Sequence, residues 1–124
     1  MQTQRLVLPA DLNQYGFLFG GRLLAWIDEA TWIAASLEFP RCRFVTVAMH
    51  EVRFHHSVRE GTILTIDSRL RNQGNTSVTY SVQVVDTRRP EPQVLFATTV
   101  TFVNVDENGN KQPVAAISGR PATS

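Results

Sequence analysis

The sequence predicts an α+β domain in which an antiparallel sheet of about five strands wraps around one long central helix. Residues 22–37 contain neither glycine nor proline and are apolar on nearly every helical face. From Phe44 onwards the pattern changes to the alternation of apolar and polar residues that is typical of strands. Glycine and proline separate the alternating segments, as they do at turns. The order of elements is therefore a short strand, a loop, the helix and four strands.

The first strand and the helix have clear limits in the sequence. The apolar run 5–8 stops at Pro9, and proline is tolerated at a sheet edge. A loop over residues 9–19 leads into the helix, which we expect from about Gly21 to Leu37. The helix ends before Phe39-Pro40-Arg41, because the residue preceding a proline avoids the helical conformation.

Four alternating segments follow the helix, at residues 44–54, 64–71, 78–84 and 94–106. Gln73-Gly74-Asn75 predicts a hairpin turn between the second and third of them. We assign the single domain to residues 1–109. Residues 110–124 contain Pro, Gly, Ser and Thr without a periodic pattern, and we expect a loosely ordered C-terminal tail there.

The composition restricts the classes of function. A chain of 124 residues suits one domain, and a formal net charge of +1 gives no indication of nucleic-acid binding. The single cysteine, Cys42, excludes an internal disulfide and favours a reducing compartment. No apolar run approaches the ~20 residues that a membrane span needs. We therefore expect a soluble, cytoplasmic protein that binds neither nucleic acid nor membrane.

The helix also predicts self-association. A helix that is apolar on all sides needs cover on all sides. One curved sheet covers one side of it. A second copy of the chain is the simplest cover for the remainder, so the sequence predicts at least a homodimer.

One carboxylate interrupts the apolar wall of the predicted helix. On a helical wheel at about 100° per residue, Asp28 lies outside the polar arc around Glu29. A carboxylate in such a wall must be paired, hydrogen-bonded, protonated or placed beside a cavity. Asp28 is therefore a candidate catalytic group. A structural carboxylate that pairs with Arg22 or Arg53 is the alternative.

The helix is preceded by a turn with three glycines, Gly16, Gly20 and Gly21. The first N–H groups of a helix lack internal partners, so such a turn can hold an anion or a developing oxyanion. The alternative is that Gly20 and Gly21 serve only close packing.

Three segments carry a family resemblance: Pro9–Gly16, Phe19-Gly20-Gly21 with Leu24, and Trp26-Ile27-Asp28. Weaker matches follow at Val45–Ala48 with Phe54 and at Gly74–Val78. Together these segments resemble the acyl-CoA thioesterases of the bacterial YciA and brain acyl-CoA hydrolase type, which have the hotdog fold. The resemblance covers residues 5–106. Its most specific part is the spacing Asn13-x-x-Gly16-x-x-Phe19-Gly20-Gly21 with Asp28 seven residues further on.

The resemblance implies hydrolysis of an acyl-CoA to a free acid and coenzyme A, with no metal and no cofactor beyond the coenzyme A of the substrate. It implies homodimers whose two sheets join and whose active sites lie at the subunit interface, with tetramers or hexamers as further assemblies. Asp28 would act as a general base on water or as a nucleophile. Asn13 would lie near the thioester, and the N–H of Gly21 would polarise its carbonyl. The resemblance further implies substrate-binding roles for Phe19, Gly20, Thr46, Thr76 and Ser77.

The chain departs from the family after Phe54. The family has a basic residue, proline and valine there, followed by glycine-aspartate, whereas this chain has His55-His56-Ser57-Val58 and Gly61-Thr62. These changes concern the grip on coenzyme A. We interpret four further arginines as solvated charges at sheet edges, with contacts to coenzyme A phosphates as the alternative for a few of them: Arg69, Arg71, Arg88 and Arg89.

Other functions stay open at this stage. A metal site is disfavoured, because His55 and His56 point to opposite faces of a strand and no further ligand stands at suitable spacing. Hotdog hydratases pair a histidine with an acidic residue, but Ile33 occupies the position five residues after Asp28 where that histidine would stand. A non-catalytic protein that binds or senses acyl-CoA is compatible with every motif.

Overall fold

The computed structural model describes residues 1–114. Its elements in chain order are β1 (Gln2–Leu6), a 3-10 turn (Pro9–Asp11), α1 (Gly20–Glu38), β2 (Phe44–Phe54), β3 (Ile63–Gln73), β4 (Ser77–Asp86) and β5 (Val94–Asn104). The five strands form one antiparallel sheet in the order β1-β3-β4-β5-β2. The α+β class, with one long helix and a five-stranded antiparallel sheet, is confirmed.

The helix α1 packs one face on the sheet. Seven of its residues are buried: Leu23, Trp26, Ile27, Ala30, Thr31, Ala34 and Ala35. They meet the inward side chains of β4 and β5, of which Tyr80, Phe96 and Phe102 are the largest. The helix extends one residue further at each end than the sequence predicted. It stops at Glu38, where Phe39 leaves the helical conformation and Pro40 has no N–H to continue the pattern.

The strand β2 lies at the edge of the sheet and is irregular. Its register with β5 shifts between Thr46 and Ala48 and again between His50 and Arg53. Within the second shift Glu51 has a φ of 57°, which an L-residue adopts only at a special position such as a bulge. The unbroken alternation that the sequence predicted from Phe44 to Phe54 is therefore wrong, because two bulges interrupt it.

A set of apolar side chains remains exposed on α1 and the adjoining part of β2. We call it the uncovered apolar face, and it consists of Trp32, Ile33, Leu37, Val45 and Val47. The two elements are tied together at this face, since the indole Nε1 of Trp32 donates a hydrogen bond of 3.0 Å to the carbonyl of Phe44. The sheet of the same chain thus covers only one side of the helix, as the sequence predicted.

The end of the described chain is fastened to the sheet. Asn104 is fully buried, and its side chain accepts a hydrogen bond from the N–H of Arg43 and donates to the carbonyl of Gln112. Val114 is buried as well, and its N–H bonds to the carbonyl of Asn75. These contacts involve the first part of the predicted tail, residues 110–114. The rest of that tail, residues 115–124, lies outside the described residues.

Within residues 1–114, no helix combines the length and the apolar character that are needed to cross a membrane.

Candidate active site

Asp28 lies on the half-exposed side of α1, opposite the start of β2. The hydroxyl of Thr46 donates a hydrogen bond to Oδ1 of Asp28 at 2.6 Å. A distance this short is typical of an O–H group bonded to an ionised carboxylate. Thr46 therefore fixes one oxygen of the carboxylate and leaves the other able to accept a proton. Asp28 does not pair with Arg22 or Arg53, the alternative considered from the sequence: Arg22 pairs with Asp11 at 3.4 Å.

The N-terminus of α1 presents free donors. The N–H groups of Gly20 and Gly21 are the first two of the helix, so no earlier helical carbonyl can accept from them. The next two N–H groups, of Arg22 and Leu23, both donate to the carbonyl of Phe19. The position of this turn is held by Asp11, whose carbonyl accepts from the N–H of Phe19 at 2.9 Å.

Asn13 builds the loop in front of the helix. Its Oδ1 accepts hydrogen bonds from the N–H groups of Tyr15 and Phe17, at 2.9 and 3.2 Å. Two donors on one atom identify that atom as the oxygen, which fixes the orientation of the amide. Asn13 thus forms the turn, and its oxygen is fully used in it. The Nδ2 group is the part of Asn13 that remains able to donate.

A cavity of about 370 Å³ opens beside Asn13 and the N-terminus of α1. Asn13 and Gly20 contribute its polar edge, and its apolar wall includes Phe17, Leu18, Phe54 and Leu95. We call it the apolar cavity. Phe54 packs so closely on Gly20 that an added Cβ would lie 3.0 Å from the ring. Glycine at this position therefore allows the ring to approach the helix terminus.

One chain does not bring all the predicted catalytic groups together. Gly21 lines a separate groove with Phe19, Asp11 and Arg22. Asp28 follows Gly21 by seven residues, which is about 10 Å along the helix axis, and lines neither cavity. The structure thus joins Asp28 with Thr46, and Asn13 with Gly20, as two separate pairs.

Thr76 and Ser77 lie in the turn between β3 and β4 and at the start of β4. The carbonyl of Thr76 accepts from the N–H of Asn104, and the carbonyl of Ser77 accepts from the N–H of Gly74. This turn is at the end of the sheet where β2 begins, since Phe44 pairs with Asn104. The apolar cavity is at the opposite end, beside Phe54. Within one chain, Thr76 and Ser77 therefore contact neither pair of predicted catalytic groups.

Sequence reasoning missed a polar groove of about 380 Å³ that adjoins the apolar cavity. Its charged and titratable lining comes from two separate segments: His56 and Arg59 lie in the loop after β2, and Asp86 and Arg89 lie at the end of β4 and in the loop after it. No sequence spacing connects these residues, although the departure from the family pattern at His56 was a signal. Among residues 1–114, no three His, Cys, Asp or Glu side chains come close enough to hold a metal ion.

A model of the thioesterase superfamily matches residues 15–92 of the chain. A relative in Buchnera aphidicola, described as an uncharacterized acyl-CoA thioester hydrolase, is 32% identical over 123 residues, which are 95% of this chain and 90% of the relative. Acyl-coenzyme A thioesterase 11 of Mus musculus is 33% identical over 85 residues, or 68% of this chain, and the matched part is 14% of its length. This chain thus corresponds to a small part of the mouse protein.

Solved structures resemble the whole described fold. A hexameric hotdog fold thioesterase of Campylobacter jejuni has a TM-score of 0.80 and 33% identity, over 94% of each chain. The acyl-CoA hydrolase of Staphylococcus aureus, in complex with butyryl coenzyme A, coenzyme A and coenzyme A disulfide, has a TM-score of 0.79 and 27% identity, over 91% of this chain and 67% of that one. The family model, the relatives and the shared architecture show that this chain is a hotdog-fold protein of the thioesterase superfamily.

Proposed function

We propose that this chain hydrolyses acyl-CoA thioesters to a free carboxylic acid and coenzyme A, at a site that a second copy of the chain completes. The observation that carries the proposal is the carboxylate of Asp28, held by Thr46 in the wall of the helix. The relatives named as acyl-CoA thioester hydrolases support the choice of substrate class.

Asp28 acts on water as a general base in this proposal. Its free oxygen takes a proton while the water oxygen attacks the carbonyl carbon of the thioester. The carbonyl oxygen becomes negative, and the N–H of Gly21 stabilises it as an oxyanion. When the C–S bond breaks, the leaving thiolate takes the proton from Asp28. Direct attack by Asp28, which forms an anhydride that water then hydrolyses, is the second route that the same geometry allows.

Asn13 serves as a donor in either route. Because its oxygen is used by the loop, only Nδ2 can contact the substrate. An amide N–H near the thioester can bind the carbonyl oxygen or orient the attacking water. The rigid loop holds this donor at the edge of the apolar cavity, where Gly20 and Phe54 form the adjoining walls.

In this proposal, a second copy of the chain brings Asp28 close to the glycine turn and Asn13. Asp28 lies about 10 Å along the helix from the glycine turn, and the uncovered apolar face lies beside the exposed edge of β2. Antiparallel pairing of two β2 edges would bury that face and join the two sheets into one. We propose that Asp28 of one copy then faces the glycine turn and Asn13 of the other. A hexamer, as in the Campylobacter thioesterase, is compatible with further association of such dimers. A cytoplasmic location stays a prediction from the sequence.

The activity is tested by thiol release from a panel of acyl-CoAs with wild type, Asp28→Asn and Glu29→Gln. Asparagine keeps the shape of Asp28 and removes its charge, so we expect a loss of roughly a hundredfold or more in kcat. Glu29 is the neighbouring exposed carboxylate, which pairs with Arg5 at 3.7 Å, and its variant controls for the loss of one charge from the helix. Binding of acyl-CoA without turnover by the wild type would select the non-catalytic alternative.

The dimer is tested by sedimentation velocity with wild type, Val47→Lys and Gln83→Lys. Val47 is 55% exposed on the free side of β2, where a lysine blocks the pairing of edge strands. We expect the Val47 variant to be monomeric and inactive. Gln83→Lys adds the same charge to the outer face of the central strand β4. A monomeric wild type with full activity would exclude the shared site.

A further inference from the structure

The polar groove adjoins the apolar cavity. Four residues line both of them, namely His56, Ser57, Val58 and Leu95. A substrate that occupied the apolar cavity beside Asn13 could therefore extend over these shared residues into the polar groove. The two compartments differ in chemistry, since the second is lined by two arginines, a histidine and a single carboxylate.

Arg89 is held in place at the rim of this groove. Its Nη1 donates to Oε1 of Gln93 at 2.6 Å, and its Nε lies 4.0 Å from Oδ2 of Asp86. Since Oε1 of Gln93 accepts from Arg89, the amide nitrogen of Gln93 is the group that faces Nε2 of His56, at 2.9 Å. A chain of hydrogen bonds thus runs from Arg89 through Gln93 to His56. This series of hydrogen bonds orients the guanidinium of Arg89 and the imidazole of His56 along one wall.

Arg59 stands between the two compartments. Its guanidinium lies 5.6 Å from the ring centroid of Phe17, a residue of the apolar cavity, and Arg59 itself lines the polar groove. Among residues 1–114, no carboxylate lies within ion-pair distance of Arg59. The single acidic side chain of the groove, Asp86, faces Arg89 instead. The positive charge of Arg59 is therefore free to meet an anion.

We propose that the polar groove binds phosphate groups of the acyl-CoA substrate, with Arg59 and Arg89 as the binding cations and Gln93 as the residue that positions Arg89. Guanidinium groups match phosphate oxygens in both charge and geometry. The proposal rests on the proposed function, and it assigns the polar groove to the phosphate-bearing part of the substrate and the apolar cavity to the part that carries the thioester.

Steady-state kinetics with two substrates tests the groove. One substrate is an acyl-CoA, and the other is the same acyl group on pantetheine, which carries no phosphate. The variants are Arg59→Gln, Arg89→Gln and Arg71→Gln. The preference for acyl-CoA over acyl-pantetheine is the ratio of the two kcat/KM values. The loss of one charge-assisted hydrogen bond at the groove should lower this ratio by roughly tenfold. Titration calorimetry of coenzyme A should show a similar rise in Kd.

Arg71→Gln removes the same charge at the other end of β3, about 30 Å along the strand from the groove and near the turn that contains Thr76 and Ser77. A loss of preference in the Arg59 and Arg89 variants, but not in the Arg71 variant, supports the groove. A loss in the Arg71 variant alone would move the phosphates to the hairpin turn and overturn the proposal. An equal loss in all three would indicate long-range attraction without a site, and would overturn it too.

The failure of the groove and the failure of the proposed function give different results. Variants that keep the full preference for acyl-CoA overturn the groove and leave the thioesterase activity standing. If the wild type turns over neither substrate, the proposed function fails, and calorimetry with coenzyme A alone then decides the groove. Equal affinity of wild type and both groove variants for coenzyme A overturns it in that case.

Discussion

Replacing Thr46 with valine is expected to lower kcat by about ten- to a hundredfold with little loss of stability. The Thr46 hydroxyl donates the 2.6 Å hydrogen bond that orients Asp28. A hydrogen bond to a charged group is worth about 1.5–3 kcal/mol, and each ~1.4 kcal/mol in the barrier changes the rate by about tenfold. This loss in kcat is expected when the full free energy of the hydrogen bond stabilises the transition state by orienting the carboxylate.

The stability of the same variant should change by less than about 1 kcal/mol, because water can replace the hydroxyl at this site. Thr46 is exposed and Asp28 is half-exposed. Valine is nearly isosteric with threonine and is favoured in strands. Activity and stability are thus expected to separate, which a purely structural role of Thr46 would not produce.

The assay combines thiol-release kinetics and thermal unfolding for wild type, Thr46→Val, Thr46→Ser and Asp28→Asn. Serine keeps the hydroxyl and should retain most of the activity. If the valine variant stays within about twofold of the wild type while Asp28→Asn loses its activity, the hydrogen bond does not orient the catalytic carboxylate. If serine reduces kcat as much as valine does, keeping the hydroxyl does not preserve the activity, and the reasoning is refuted as well.

Two further predictions concern the helix terminus and the end of β5. Gly20→Ala should fold with a stability change below about 1 kcal/mol. Its added Cβ displaces the ring of Phe54, so we expect a changed KM for acyl-CoA. An unchanged KM would show that this contact does not shape the substrate path. The backbone N–H groups of Asn110 and Asn108 lower the pKa of Asp106 below its usual 3.8. A carboxyl whose pKa is lower in the folded state stabilises the fold at a pH above its pKa in the unfolded state. This stabilisation is lost as the pH falls through the pKa of the folded state. Asp106→Asn should therefore be less stable than the wild type at neutral pH, and chemical denaturation should show this gap closing below about pH 4; a gap that is constant with pH would contradict this origin.

The helix could be predicted closely from sequence because its signals are local. The apolar run, the glycines before it and Pro40 after it limit the helix without reference to any other part of the chain. The strands were predicted as segments for the same reason. Their order in the sheet could not be predicted, because alternation shows which residues share a face and not which strand lies beside which. The bulge at Glu51 is invisible in a period-two pattern for a similar reason.

The candidate site also has one part that could be predicted from the sequence and one part that could not. Asp28 could be singled out because a carboxylate in an apolar helix wall is costly unless it has a partner or a function. Its contact with Thr46 depends on two elements meeting in space and was not predicted, since the family resemblance implied only a substrate-binding role for Thr46. Arg89 was interpreted as a solvated edge charge. Its hydrogen bond to Gln93 lies within the loop after β4, and the groove shared with Arg59 arises where that loop meets the loop after β2, which no pattern along the chain records.

The position of β2 at the edge of the sheet has a consequence for the order of folding. β2 follows the helix directly in the chain, yet within residues 1–114 its only partner in the sheet is β5, the last strand of that part. During synthesis, β3 and β4 can pair as a hairpin while β2 still lacks a template. Thr46 can therefore be fixed opposite Asp28 only after the C-terminal strand has emerged. Contacts between such distant segments slow folding and leave apolar strand edges exposed in the meantime. The contact between Asp28 and Thr46 is thus expected to be among the last parts of the domain to form.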